Sequence, residues 1–189
     1  SGAVQGVITA EGRVAAAAVV VATGHGARDV FEWMQQGGLQ VERKPFALGV
    51  RIEHPQSWVN TRQYRLRGAA LADDLGLPPA AYSLVTQTEG GGVFSFCMCP
   101  GGVIAPCATE DGEVVTNGWS PSKRNNPWAN SGIVTTVSEA DLDALGHHGA
   151  LGALEFQRAV ERACSEAAGG DQRAPAQRLA DFVARKRSK

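Results

Sequence analysis

Residues 46–55 have the sequence FALGVRIEHP, in which positions 46, 48, 50 and 52 are all apolar. Successive side chains of a β-strand point to opposite faces, so a period of two predicts a half-buried strand. The other face would carry Arg51 and Glu53, and Pro55 would end the strand. This segment therefore predicts a sheet with one polar face.

Short apolar segments separated by turn residues continue toward the C-terminus, at 82–86, 93–99, 103–108, 113–116 and 133–137. Glycines at 90–92 and the Asp111-Gly112 pair are typical of hairpin turns. A short helix is predicted at 73–77, and a polar loop at 117–130. Ser138 with Asp141 resembles a capping box, which predicts another short helix through Leu145. From residue 151 onward, apolar residues recur at helical spacing. Strands followed by helices predict an α+β fold with a mixed or antiparallel sheet and C-terminal helices.

The N-terminal stretch has a different order of elements. Residues 4–9 and 13–22 are predicted to form a hairpin around Glu11 and Gly12, and Gly24-His25-Gly26 then leads into a helix that ends at Gly37-Gly38. A strand, a glycine turn and a helix N-terminus can bind phosphate. Asp29, however, stands where a dinucleotide fingerprint has its third glycine. A tight turn, a contact to a cofactor held elsewhere and a free-standing NAD site all stay open.

Composition excludes several classes of protein. The 18 basic and 19 acidic residues give no net field for nucleic acid or an anionic membrane, and the basic tail at 185–189 is typical of a solvated helix end. The longest apolar run, 14–22, is too short to span a bilayer. The start carries no secretory signal. We expect a cytoplasmic protein with no nucleic-acid or membrane partner, cut from a longer chain because Ser1 is no initiator methionine.

Two groups of side chains could carry chemistry. Ser95, Cys97 and Cys99 would share one face of the 93–99 strand, and the two cysteines are open to three interpretations: small buried residues, a reactive thiol or redox pair, and, with further ligands, a zinc site. Arg51, Glu53 and His54 combine a cation, an anion and a titratable ring near the end of one predicted strand. They fit either a surface salt bridge with a turn histidine or a role facing a cofactor or substrate. No nucleophile elbow, Walker A loop or H-E-x-x-H motif occurs, so the common hydrolase and kinase functions lose most of their support. The cysteines have no diagnostic metal-binding spacing, so no metal ligands are assigned.

Several unusual segments occur together in this chain: VVVATGHGARD at 19–29, KPFALGVRIEHPQ at 44–56, FSFCMCPGG at 94–102, VVTNG at 114–118, ANS at 129–131 and APAQRLADF at 174–182. As an ordered set, covering nearly the whole chain, they resemble the uncharacterised FAD-dependent dehydrogenases, a family of flavoproteins with a glutathione-reductase-like FAD fold. Two departures stand out, since Gly26 replaces a frequent serine and the loop at 119–128 is bulky.

The resemblance implies a division of the chain. Residues 1–38 would be a fragment of a Rossmann-like FAD-binding domain, with Ala22-Thr23-Gly24 similar to the internal strand end called the ATG motif. Residues 39–189 would form a substrate or cap domain. The resemblance implies FAD contacts at Thr23, Gly24, Asn117, Gly118, Asn130 and Ser131, and candidate catalytic roles for Cys97, Cys99 and Arg51.

The leading hypothesis is therefore a segment of an FAD-dependent oxidoreductase that covers the flavin, with an unknown substrate and electron partner. The isolated chain should bind FAD weakly or not at all. The open edge of the 14–22 strand predicts pairing with a second copy. Two alternatives are a non-catalytic binding or interaction module derived from a flavoprotein fold, and a thiol redox or metal protein that uses Cys97 and Cys99.

Overall fold

The computed structural model describes residues 3–66 and 75–188. Its contacts divide the chain into two compact units, Ser1–Val41 and Glu42–Lys189. The division of the chain into a FAD-domain fragment and a cap domain stays a prediction. The short helix predicted at 73–77 falls largely outside the described residues.

The first unit contains a hairpin and one helix. Strands β1 (Gly6–Thr9) and β2 (Gly12–Ala15) pair antiparallel, and helix α1 spans Arg28–Gln36. The predicted second strand is wrong beyond Ala15. Ala15 pairs with Gly6, the first residue of β1, and residues 18–24 have no regular structure. The Rossmann-like fragment is not seen, since β1 and β2 are the strands described in this unit and they pair antiparallel.

The second unit is built on a four-stranded sheet in the order β3-β8-β5-β4, in which every neighbouring pair is antiparallel. The strands of this unit are β3 (Phe46–Pro55), β4 (Val85–Thr88), β5 (Gly91–Cys99), β6 (Val103–Cys107), β7 (Val115–Trp119) and β8 (Trp128–Val137). Strands β6 and β7 form a separate hairpin. The α+β fold with an antiparallel sheet is thus confirmed.

The polar loop predicted at 117–130 is much shorter in the structure. Strand β7 continues through Asn117 and Gly118 to Trp119, and β8 begins at Trp128. Strand β8 pairs with β3 along all ten residues, from Pro55 with Trp128 to Phe46 with Val137. Polar residues of the ANS segment therefore lie inside a central strand, where cross-strand pairing outweighs their low strand propensity.

Helices in the second unit are α2 (Gln56–Gln63), α3 (Glu139–Ala144), α4 (Gly152–Ala167) and α5 (Leu179–Val183). Ser138 forms the predicted capping box with Asp141 at the start of α3. Phe46 of the sheet packs against Phe156 of α4, with ring centroids 6.3 Å apart. No helix among the described residues is long and apolar enough to cross a membrane.

Two contact regions hold these helices to the sheet. A small core joins Val59 of α2 to Ala80 and Ala129, with Tyr64, Tyr82 and Met98 packed around it. Arg43, just before β3, makes a two-pronged salt bridge to Asp143 of α3, with N–O distances of 2.8 Å. The Arg43 guanidinium, together with His148, lowers the pKa of Asp143 to about 2.

Candidate functional site

A β-bulge at Cys97 reorganises the end of β5. Phe96 pairs with Gly132 and Cys99 pairs with Asn130, so β5 contains one more residue than β8 over this interval. Cys97 takes a left-handed backbone conformation, with φ of 46°, which is uncommon for a residue other than glycine. The extra residue reverses the alternation of faces after Phe96.

The reversal corrects the predicted face of the cysteines. Cys99 shares its face with Phe96 and its partner Asn130, while Met98 packs into the core on the opposite side. The prediction that Ser95, Cys97 and Cys99 share one face is therefore wrong for Cys99. A strict period of two cannot register a bulge, which inserts one residue into the count.

Arg51 of β3 links its own strand to β8 and β5 at this point. Its Nε donates to Asn130 Oδ1 at 2.9 Å, and its Nη2 donates to the Cys97 carbonyl at 2.8 Å. The same Nη2 lies 3.6 Å from Cys99 Sγ. In a regular strand, the Cys97 carbonyl would bond to a neighbouring strand. At the bulge it accepts a hydrogen bond from the Arg51 guanidinium instead.

Gly118 of β7 packs directly against these side chains. A β-carbon at this position would overlap with Arg51 Nη2, Asn130 Oδ1 and Cys99 Sγ, so the close approach of β7 requires glycine. We refer to Arg51, Cys97, Cys99, Gly118 and Asn130 as the Arg51 cluster. Five of the nine residues that the sequence singled out therefore meet in one place.

The Arg51 cluster is unbalanced in charge and in hydrogen bonding. None of the ion pairs among the described residues includes Arg51, and the groups that accept its hydrogen bonds there are all neutral. Glu53, on the same face of β3, is exposed and forms no ion pair with Arg51 in the described part of the chain. Asn130 is fully buried, and its Nδ2 has no hydrogen-bond partner. A half-buried guanidinium in such surroundings favours an anionic ligand.

Ser131, the residue after Asn130, faces the other side of the sheet. Its hydroxyl donates to the Gly132 carbonyl at 3.0 Å and lies 3.4 Å from the Phe96 carbonyl. Both acceptors are backbone groups of the sheet itself. Ser131 therefore cannot contact the same ligand as the Arg51 cluster from that cluster's side.

His54, singled out from the sequence beside Arg51, lies on the Ser131 side with two aromatic neighbours that the sequence did not indicate. The His54 ring stacks on Tyr82 with centroids 5.5 Å apart and meets Trp58 edge-on at 5.6 Å. Burial lowers the pKa of His54 and leaves its Nε2 without a hydrogen-bond partner. Burial also raises the pKa of Tyr82, an effect that the Ser131 hydroxyl and the charge of Arg51 partly offset. No local sequence motif around Tyr82 indicates its contact with His54.

The remaining predicted cofactor residues are exposed. Thr23 and Gly24 belong to the irregular stretch of the first unit, and Gly24 has φ of 81°. Helix α1 begins at Arg28 without a side-chain cap and has Asp29 in its first turn. Asn117 uses its side-chain oxygen to accept from the Gly118 N–H at 2.8 Å. The cofactor role of all six residues stays a prediction.

The thiol and metal interpretation gains no support from the geometry. Cys97, Cys99, Cys107 and Cys164 are all free thiols. Within residues 3–66 and 75–188, no group of three or more His, Cys, Asp or Glu side chains could hold a metal ion. Cys99 Sγ lies 3.4 Å from the Cys97 carbonyl rather than facing the Cys97 side chain.

Comparison with known proteins identifies the family of this chain. Residues 45–189, well over half of the chain, match the family described as FAD-dependent protein, C-terminal domain-like. An uncharacterised protein of Clostridium beijerinckii is 40% identical over 168 residues, a match that covers 88% of this chain. The same match covers 30% of the relative, so the chain spans less than a third of that protein's length. The chain therefore belongs to the family of FAD-dependent proteins, through their C-terminal domain-like region.

Proposed function

We propose that this chain is part of an FAD-dependent oxidoreductase of the glutathione-reductase-like class, and that its second unit covers the flavin. The observation that carries the proposal is the family match over residues 45–189. The relative is more than three times as long as the matched region, which leaves ample sequence for a separate FAD-binding domain. A cytoplasmic location and dehydrogenase chemistry belong to the same proposal.

The Arg51 cluster supports a place for this unit at the reaction site. FAD, when bound in the whole protein, supplies the electron-transfer chemistry. The residues of this chain would position the reactant instead. Asn130 fixes the guanidinium of Arg51 by a hydrogen bond of 2.9 Å, and the cluster holds Cys99 on the same side.

Preorganisation is what this arrangement offers. Arg51 makes contacts from Nε and Nη2 to groups on two other strands, so its side chain does not have to be ordered when a ligand arrives. The six residues predicted to contact FAD would add hydrogen bonds to a cofactor held mainly by the rest of the protein. Chemistry would therefore depend on both parts of the longer protein.

A spectrum of the whole protein tests the proposal. The full-length parent, expressed with FAD supplementation, should show flavin absorbance and release about one FAD per chain on denaturation. A parent protein without bound flavin would contradict the proposal and support the non-catalytic binding module instead.

The thiols give a second test. The double variant Cys97→Ser, Cys99→Ser in the parent should retain its full flavin content, because neither thiol would hold the cofactor. Cys107→Ser, an exposed cysteine on β6, is the matched control. Loss of a bound metal from the double variant alone, measured by elemental analysis, would favour the thiol and metal alternative.

A further inference from the structure

We infer that the Arg51 cluster binds the carboxylate of a substrate whose body is aromatic or otherwise apolar. The inference rests on the proposed function and names the substrate class for the same site. It is carried by the charge of Arg51, by its free hydrogen-bonding capacity and by the side chains that share its face of the sheet.

The charge of Arg51 lacks a counter-ion in the described part of the chain. Its Nε and Nη2 are engaged by Asn130 Oδ1 and the Cys97 carbonyl, and no hydrogen bond of Nη1 is found among the described residues. Keeping a guanidinium half-buried against neutral acceptors is unfavourable until an anion arrives. Nη1 is thus the donor left for a ligand oxygen.

The anion should carry a single charge. The cluster contains one cation, and Glu53 lies two residues away on the same face. A phosphate dianion would need a second cation or a helix N-terminus, and α2, the helix that follows β3, begins at Gln56, after the strand has ended. A carboxylate matches one guanidinium in both charge and geometry.

An exposed phenyl ring lies on the same face as Arg51. Arg51 pairs with Gly132, and Gly132 pairs with Phe96, so the three residues form one row across β3, β8 and β5. The Arg51 and Phe96 Cα atoms are therefore roughly 10 Å apart, at about 4.8 Å per strand. Glycine in the middle leaves no side chain between the guanidinium and the ring.

Phe96 is 55% exposed, an unusual state for a ring in the middle of a sheet. Val85 and Phe94 pair with each other on that face, and Val85 is also exposed. These side chains would contact the apolar body of the ligand while Arg51 binds its carboxylate. An apolar body with one carboxylate fits both features at once.

Calorimetric titration of the full-length parent with benzoate tests the inference. Benzoate should bind saturably, and benzamide, which has the same ring without the charge, should bind at least tenfold more weakly. Arg51→Gln should weaken benzoate binding by about tenfold or more, because a charge-assisted hydrogen bond contributes about 1.5–3 kcal/mol. Arg62→Gln, an exposed arginine on α2, is the control and should leave the affinity unchanged.

Phe96→Ala covers the case in which Arg51→Gln fails to fold, since Phe96 is largely exposed. This variant should weaken benzoate binding several-fold and leave acetate binding unchanged. Equal affinity for benzoate and benzamide, inorganic phosphate bound more tightly than benzoate, or no benzoate binding at all would overturn the inference. So would a change of the ligand-free flavin spectrum in Arg51→Gln, which would place Arg51 against the cofactor.

Flavin absorbance separates the two failures. A parent protein that contains FAD and ignores benzoate contradicts the substrate class alone. A parent that binds benzoate through Arg51 but contains no FAD contradicts the proposed oxidoreductase and leaves the carboxylate site in place.

Discussion

Two ten-residue segments of this chain were both predicted to be strands, and they differ in outcome. Residues 46–55 form β3 along their whole length, whereas the segment 13–22 leaves its strand after Ala15. The second segment is the more apolar of the two. Apolar character alone therefore does not decide whether a strand forms.

Pairing explains the difference. Strand β3 has a partner in β8 at every residue, while β2 pairs with the four residues of β1. Beyond Ala15 the apolar side chains are exposed, with Val20 at 87%. A strand needs backbone partners before its side chains can be buried. The apolar segment of the first unit is thus suited to a β-strand, but no partner strand pairs with it beyond Ala15 among the described residues.

Separating the two units should give the largest effect. A chain of residues 42–189 should unfold cooperatively on heating, because it contains the whole four-stranded sheet. The segment 1–41 should show no cooperative transition, since Arg28 is the buried residue among its described positions and chains this short rarely fold unaided. Circular dichroism during heating measures both. A sharp transition in the isolated segment would contradict the comparison.

Breaking the β3 and β8 pairing directly should have the next largest effect. A β-carbon at Gly49 would overlap with the Ile133 carbonyl of β8, so Gly49→Ala must push β3 and β8 apart. The expected loss is about 1–3 kcal/mol of unfolding free energy, as for other overpacked sites. Chemical denaturation of the 42–189 chain gives this value.

Gly90→Ala is the matched control for that experiment. A β-carbon at Gly90 would have Thr88 Oγ1 as its nearest neighbour, at 3.8 Å. Its effect should stay below about 0.5 kcal/mol. Similar losses in both variants would show that the close contact of β3 with β8 does not limit stability.

The same contrast separates the features that the sequence predicts from those that it does not. The alternation at 46–55, the hairpin turns and the Ser138 capping box depend on neighbours in sequence, and all of them are found in the structure. The bulge at Cys97 depends on the pairing of β5 with β8, which no local pattern contains. Arg51 and Asn130 were both singled out, but their hydrogen bond joins residues 79 positions apart.

Acidification should have a smaller effect, confined to the second unit. Burial lowers the pKa of His54 below its usual value near 6.5, so the unfolded chain takes up the proton more readily. Stability is therefore lost as the pH falls through about 6.5. His54→Phe keeps an aromatic ring against Tyr82 and should flatten the dependence of the melting temperature between pH 7 and pH 5.

Phe46→Leu provides the comparison for the pH series. It removes a half-buried ring that packs against Phe156 and does not titrate, so it should lower the melting temperature equally at both pH values. An unchanged slope in His54→Phe would mean that groups other than His54 cause the acid sensitivity. The Asp143 salt bridge is lost only as the pH falls from about 3.8 toward about 2, outside the range of this test.

The smallest expected effect is the heat of FAD binding to this chain alone. Tight dinucleotide binding takes most of its affinity from phosphate contacts at a glycine turn and helix N-terminus. Here that helix begins at Arg28 with Asp29 in its first turn, and its end is not capped by a side chain. A carboxylate in that position repels a pyrophosphate.

The remaining predicted contacts cannot replace those phosphate interactions. Asn130 and Ser131 face opposite sides of β8, and Asn117 already bonds to the next residue in the chain. Partial hydrogen bonding would not offset the cost of immobilising so large a ligand. Calorimetric titration of residues 1–189 with FAD should therefore give no saturable heat, while the full-length parent binds. Micromolar or tighter binding to the short chain would show that the first unit, despite its missing strand, already contains a working cofactor site.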